Sequence, residues 1–519
     1  MILLKHISLT VILVAHFSTL NAYSESLKPY SGNNFYWEYN GNPVLLLGGF
    51  NGAHNVFLDS DVTRDRSEHF SELISQMDKL KKVGGNVMRC VLDPGGGYSY
   101  DYPAWEGVGG GKFDATKFTS GTNSYWGRFD KFLKEAKKRD IIVQLEVWDP
   151  FDWQKTDNWG VSAFNPIKNI NYTESESGLS GRYDSFKDNP FAESVPDHPK
   201  YRSATKTRKK KYDLVRHYQE LYMSKLLSIS LKYNNVLYTI NNETHVDKAW
   251  GVYWMTLIKN AADKKGKTVY TTDMFLDGLN LKSSENYKYV FSNPSKYTFL
   301  DISQNTHFNV MGGPEGHWAN ILYTRNKISS SIRPINNTKT YGAVQDSLSK
   351  YHLRVYERFG ELAGQNGFWM NIIGGCASSR FHRPSWGLGL SSVAKASIKA
   401  ARKLETKIKM WDVEPRNDLL SNRGVHKIYY SGYPFENEPF VYGEAYLAAD
   451  PGKKYALYFT KGGSVNLDLK KYPRDIFELN WINIDSGNWG SCDTIEGGAN
   501  VALSPPTNGA WVAAILKKN

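Results

Sequence analysis

The sequence has little cysteine: three residues in 519, at positions 90, 376 and 492. They show no metal-binding spacing and are few for an exported chain. Cys90 and Cys376 fall in expected strands, where a buried free thiol is the plain reading. No glycine-rich loop of the phosphate-cradling kind is present. Gly95-Gly96-Gly97 and Gly109-Gly110-Gly111 lack the Lys-Ser/Thr that would complete one. No Ser-His-Asp arrangement can be argued. Beyond the N-terminus no run is apolar enough to cross a bilayer, which takes about 20 residues. Acid is scarce as well, with 52 Asp and Glu against 64 Lys and Arg and a formal charge of +12. No metal or organic cofactor is implied.

What is present begins with an export signal. Lys5 precedes an apolar run from Ile7 to Leu20, and the small Ala22 precedes Tyr23. That run is too short for a span, so residues 1–22 are expected to be a removed signal peptide. No cysteine follows the cleavage point, which argues against a lipid anchor, and the expected location is secreted or periplasmic. The run Lys206-Thr-Arg-Lys-Lys-Lys211 concentrates positive charge. Such charge attracts nucleic acid, anionic lipid or acidic polysaccharide. Export argues against nucleic acid, and a solvated loop with no partner is the blander reading. The 15 Trp and 33 Tyr offer faces on which sugar rings stack, besides filling a core.

Strand and helix patterns alternate through most of the chain. Asn34 to Gly48 reads as a hairpin, turned at Asn40-Gly41, feeding a first strand. A helix with Phe70, Leu73, Ile74, Met77 and Leu80 on one stripe follows, stopped by Gly84-Gly85. Strands are expected at Asn86–Leu92, Ile141–Trp148, Val236–Glu243, Thr268–Asp273, Thr298–Gln304, Pro334–Tyr341 and Gly374–His382. Helices are expected at Trp126–Lys138, Tyr212–Tyr233, Trp250–Asp263, Ser347–Leu362 and Ser391–Lys407. A polar stretch from Asp152 to Lys211 interrupts them as a loop insertion or a partly disordered segment. Eight strand and helix pairs predict an α/β fold, a (β/α)8 TIM barrel over residues 34–410, with the first hairpin over its base. Residues 411–519, with short alternating strands such as Lys454–Phe459 and Trp511–Leu516, predict a small antiparallel β-sandwich.

In such a barrel the carboxyl ends of the strands converge on one pocket. They supply Arg89, Glu146, Trp148, Asp149, Asn242, Glu243, Asp273, His307, Lys339, Tyr341, Arg380 and His382. Glycosidic cleavage needs one carboxyl group to protonate the leaving oxygen and another to act as nucleophile or base. Glu243 is the candidate acid, with a carboxyl pKa expected above that of free glutamate. Trp148 and Trp153 could form a stacking platform or sit in the core.

Arg89, Asn242-Glu243 and His307 are similar to the large clan of retaining (β/α)8 glycosidases that includes cellulases and β-galactosidases. Phe35 to Gly49 resembles the opening of apiosidase-like bacterial hydrolases. Glu444 to Gly452, with Tyr455 to Tyr458, resembles the small β-domain, labelled collagen-binding, that those proteins carry. The resemblance implies Glu243 as acid/base, with Asn242 holding a sugar hydroxyl beside it. It would place a nucleophilic glutamate at the end of strand seven, where this chain has Lys339. Asp149 is then the first choice for the second catalytic carboxylate, ahead of Asp273, Glu146 and Asp346. A protein that binds sugar without cleaving it, or a matrix-adhesion protein, is the alternative. Lys339 needs an anionic partner, either an internal carboxylate or an acid group on the substrate. With Arg89, Arg380 and His382 it predicts an anionic polysaccharide, such as a sulfated algal galactan. Trp148, Asn242, His307 and Tyr341 complete the expected binding set.

Overall fold

Eight parallel strand segments carry the site. The computed structural model describes residues 27–49, 55–58, 70–94, 102–183, 188–306, 313–341, 364–382, 390–428 and 440–518. In chain order the segments are Leu46–Gly48 (β1), Val87–Val91 (β2), Ile142–Trp148 (β3), Val236–Asn241 (β4), Thr271–Thr272 (β5), Leu300–Asp301 (β6), Ile335–Asn336 (β7) and Ser378–Arg380 (β8). The apolar runs of β2, β3 and β4 are buried at every residue, as strands covered on both faces require. They form one parallel sheet in the order β5-β4-β3-β2, while β6 pairs with β7 and β8 with β1. Backbone hydrogen bonds also run between these ladders. Asn86 N–H donates to Leu47 O (2.8 Å), Thr298 N–H to Thr271 O (2.9 Å) and Ala377 N–H to Ile335 O (2.7 Å).

Strands β5 to β8 are shorter than their sequence patterns suggested. Hydroxyl side chains there take backbone partners that a ladder would otherwise use. Thr298 Oγ1 accepts from Thr271 N–H and Ser303 Oγ from Thr338 N–H, each at 2.8 Å.

The longer described helices are Phe70–Lys82 (α1), Tyr125–Lys138 (α2), Lys206–Ser230 (α3), Lys248–Asp263 (α4), Glu285–Ser292 (α5), Gly313–Lys327 (α6), 364–373 (α7) and Ser392–Lys407 (α8). Helix α2 shows why such segments fold: Ser124 caps its first turn, and Tyr125, Trp126, Phe129, Phe132, Leu133 and Ala136 form one buried stripe. The signal segment and most of the helix expected at Ser347–Leu362 lie outside the described residues.

The stretch read as a loop insertion is largely helical. It contains Phe151–Gln154, Thr156–Val161, Glu174–Ser177 and Pro199–Ser203, with a 3-10 turn at Pro190–Ser194. Helix α3 then starts at Lys206, capped by the Thr205 hydroxyl, so the basic run is the first turn and a half of a helix rather than a loop.

At the other end, Trp37–Tyr39 and Asn42–Val44 form the expected hairpin. Its turn residues Asn40 and Gly41 have φ of 52° and 76°, the left-handed region that Asn-Gly favours. Trp37 is fully buried, its Nε1 donates to Asn336 Oδ1 (2.9 Å), and its ring meets Tyr270 and Phe299 edge-on.

The C-terminal part holds a six-stranded antiparallel sheet and a three-stranded one. Alternate residues of Ala445–Asp450 face opposite ways. Ala445, Leu447 and Ala449 pack with Val465, Leu467 and Leu503 of the smaller sheet. Tyr446 and Ala448 join the same core as the parallel strands.

Candidate active site

Strand β4 ends in the pair that organises the site. The chain leaves it through Asn242, whose N–H donates to Trp148 O (3.0 Å), and enters Glu243 with φ of 40°. A left-handed conformation at a non-glycine residue is held only by its surroundings, and such positions gather at functional sites. Thr244 supplies that hold by donating its N–H to Met274 O (2.8 Å) and accepting from Leu276 N–H (2.8 Å).

Three strands bring charge to this corner. Arg89 on β2 is buried and grips both carboxylate oxygens of Glu146 on β3. Its Nη2 also donates to Asn242 Oδ1 (2.8 Å). Lys339, three residues beyond β7 and 1% exposed, donates from Nζ to that same Oδ1 (2.7 Å) and to Glu243 Oε1 (2.5 Å). The other end of the Asn242 amide, Nδ2, faces Asp149 Oδ1 at 3.4 Å. One asparagine thus touches two cations and one carboxyl group. The Glu243 side chain is 20% exposed, whereas Lys339 behind it is closed off.

Electrostatics separate the two candidate catalytic carboxyls. Burial alone would raise Glu243. The Lys339 ammonium at hydrogen-bonding distance, Arg89 nearby and a hydrogen bond from Gln304 outweigh it and hold the carboxyl well below the usual range. The elevated pKa expected for Glu243 is therefore corrected: it is an ionised carboxylate. Asp149 goes the other way. Burial first, then the charges of Asp93 and Glu243, push it up to about 7, although Phe151 N–H donates to its Oδ1 (3.1 Å).

Glu146 and Asp273 have structural partners. Glu146 neutralises Arg89. Asp273 accepts from the backbone N–H and the side-chain amide of Asn241, each at 3.0 Å, and burial pushes it up to about 7. It braces β4 from behind.

Arg380 is fully buried, donates to Thr338 O (2.8 Å) and lies within electrostatic range of Arg89 and Glu146. Burial brings it down to about 9. Tyr341 and His382 stand edge-to-face with ring centres 4.7 Å apart, and His382 is buried. Trp148 is not a stacking platform. It is 3% exposed and packs against Trp153, Trp250, Trp254 and Tyr222 in an aromatic core. His307 and Asp346 lie outside the described residues.

Gln304 is the site residue that sequence reasoning missed. It ends the stretch expected as strand six, a position whose side chain can reach the pocket, and an amide there was a readable signal. Among the described residues no three His, Cys, Asp or Glu side chains gather as a metal-holding group.

No protein-family model matches the sequence, and no curated protein matches it. Solved structures do. A glycoside hydrolase family 5 from Bacteroides vulgatus is 12% identical, with a TM-score of 0.54 over 95% of this chain and 93% of its own. A second structure, described as a glycoside hydrolase, is 10% identical, with a TM-score of 0.54 over 95% of this chain and 96% of its own. At such identity the likeness is one of fold, and this chain shares it from the parallel strands through the C-terminal antiparallel sheet.

Proposed function

We propose that the chain is a glycoside hydrolase acting on a polysaccharide, with Glu243 and Asp149 as its two working carboxyl groups. The observation that carries this reading is the pair of carboxyl groups set on either side of the Asn242 amide, Glu243 held by Lys339 beside its oxygen and Asp149 facing its nitrogen. The Lys339 ammonium favours the charged form of the part-exposed Glu243, while burial and neighbouring carboxylates favour the neutral form of Asp149. Glycosidic cleavage needs that division of labour. Asp149 gives its proton to the glycosidic oxygen as the bond from that oxygen to the anomeric carbon breaks. The Glu243 carboxylate bonds to that carbon, or takes a proton from the water that does. This exchanges the roles first assigned from sequence.

The same reading includes export through the N-terminal signal, kinship to the apiosidase-like hydrolases and closure of the eight strands into a ring. Closure is supported by the backbone hydrogen bonds joining neighbouring ladders. An anionic substrate is retained on narrower ground than before, because Lys339 and Arg89 have counter-charges inside the protein. Arg380, buried within electrostatic range of Arg89 and Glu146, adds a third cation to the site.

A second reading, sugar binding without cleavage, is favoured by the short Lys339–Glu243 contact, which occupies the carboxylate needed for attack. Glycans, both neutral and charged, incubated with wild type, Glu243→Gln and Asp149→Asn decide between them. Release of products by wild type and a loss of at least a hundredfold in either variant supports hydrolysis. Binding by all three proteins, with no product from any, establishes the second reading.

A further inference from the structure

We propose that the basic first turns of α3 form a binding surface for an anionic polysaccharide chain, standing above the mouth of the site. The inference rests on the hydrolase reading only for the identity of the polymer.

Position comes first. Helix α3 links the end of β3, which carries Asp149, to the start of β4. It therefore begins on the side where those strands end. Its level is fixed by Tyr222, whose hydroxyl donates to Val147 O (3.3 Å) at the end of β3. Lys206 to Lys211 lie 16 to 11 residues before Tyr222. At about 1.5 Å per residue they stand roughly 16–24 Å beyond the strand ends. The helix is held upright by the ordered insertion. Gln219 Nε2 donates to Phe191 O (2.9 Å), Arg216 Nη1 to Ser194 O (2.7 Å) and Arg208 Nη1 to Gly178 O (3.2 Å).

Charge comes second. Cations at a helix N-terminus oppose the macrodipole, so five of them in six positions weaken the helix that displays them. Lys206 and Lys210 are exposed, and Lys209 and Lys211 are half-buried. Among the described residues none of these four lysines forms an ion pair, because the nearby carboxylates are engaged. Arg202 holds Asp197 and Arg216 holds Asp213, each at 2.7 Å, and Tyr212 donates to Glu193.

Geometry selects the kind of partner. Successive residues point about 100° apart round a helix, so these lysines fan out instead of converging on one pocket. A small anion would meet one of them, whereas a flexible polymer with repeated acid groups meets several. Polysaccharide is favoured over nucleic acid and membrane because the surface stands over the site proposed to cleave a glycan.

The test is affinity electrophoresis of the full chain in gels containing dextran sulfate or neutral dextran. It is run for wild type and for Lys206→Gln/Lys209→Gln/Lys210→Gln/Lys211→Gln. A control carries the same charge change elsewhere, as Lys134→Gln/Lys264→Gln/Lys265→Gln/Lys395→Gln. Glutamine keeps helix propensity and relieves the dipole conflict, so the first variant is expected to keep its circular dichroism and melt no lower than wild type. Wild type and control should be retarded by dextran sulfate alone, less so as salt rises. The α3 variant should lose at least tenfold in affinity. Equal losses in the α3 variant and the control, or no loss in either, would overturn the proposal. Tighter binding of wild type to duplex DNA or to phosphatidylserine vesicles than to dextran sulfate would overturn the choice of polymer. Hydrolysis is not read in this experiment, so failure of the cleavage mechanism and failure of the binding surface are distinguishable.

Discussion

Burial alone would neutralise both Glu243 and Asp149, and their partners are what set them apart. Lys339 is buried behind Glu243 and donates its ammonium to that carboxylate and to Asn242, so the ion pair favours the charged form of Glu243. Lys339→Met removes the charge and leaves the carboxyl with its desolvation. The acid limb of the pH–rate profile should then move up by at least one unit. An unmoved limb would show that Glu243 does not set it. Asp149 gives a stability prediction of the opposite sign. Its folded pKa, about 7, lies above the unfolded value of about 3.9. Its contribution is therefore fully present below pH 4 and is lost as pH rises toward 7. Melting curves of wild type and Asp149→Asn should diverge over that window, with the wild type losing up to about 4 kcal/mol relative to the variant. Parallel curves would place the Asp149 proton elsewhere. The residues of this cluster were legible one at a time, as charged or amide side chains at strand ends. Their pairing was not, because Lys339 meets Glu243 across 96 positions of sequence. Read alone, Lys339 left an internal carboxylate and a substrate acid group equally open.

Elements were legible where side chains follow a single rule. The apolar runs of β2 to β4 and the stripe of α2 needed only periodicity. Strands β5 to β7 were overextended because Thr298 and Ser303 divert backbone bonds that no alternation pattern registers, and β8 because helix α7 runs to residue 373 and a turn follows it. The insertion was read as a loop although it carries a helix start, Thr173 and Glu176 in a reciprocal capping box, that spacing alone displays. The N-terminal hairpin shows how one element acts on another. Trp37 sends its indole N–H to Asn336 on β7 and presses its ring between Tyr270 and Phe299, so a short hairpin plugs the base under β5 and β6. Trp37→Ala should cost about 3–5 kcal/mol, the range for a buried large side chain that leaves a cavity. Chemical denaturation measures it. A loss below about 1 kcal/mol would mean that the hairpin is an ornament and that the base is closed by other residues.

At the scale of the whole molecule, the C-terminal sheet and the parallel strands share one core. Trp318 on α6 packs on Tyr446 with ring centres 4.9 Å apart, and Trp369 on α7 stacks on Tyr458 at 5.8 Å. Polar contacts fix the register. The Tyr458 hydroxyl donates to Asn366, while Arg423 and the Tyr446 hydroxyl both reach Glu315 in the first turn of α6. Ile482 and Val512 of the large sheet, with Ile484 in the turn beyond it, belong to the same buried cluster as β2 and β3. A chain ending at Trp411 would leave Trp318 and Trp369 facing water, along with the side of α8 that meets this sheet. Exposed apolar surface of that extent drives aggregation. The truncated protein should therefore be insoluble or lack a cooperative thermal transition. Glu315→Gln in the full chain should fold and lose about 1–3 kcal/mol, the cost of weakening hydrogen bonds to a charged group. A soluble 27–411 fragment that melts cooperatively at the temperature of the full chain would reduce the C-terminal sheet to an appendage. Retained glycan cleavage in such a fragment would show that α6 needs no clamp, since Glu315 is where the C-terminal strands grip the helix that follows β6.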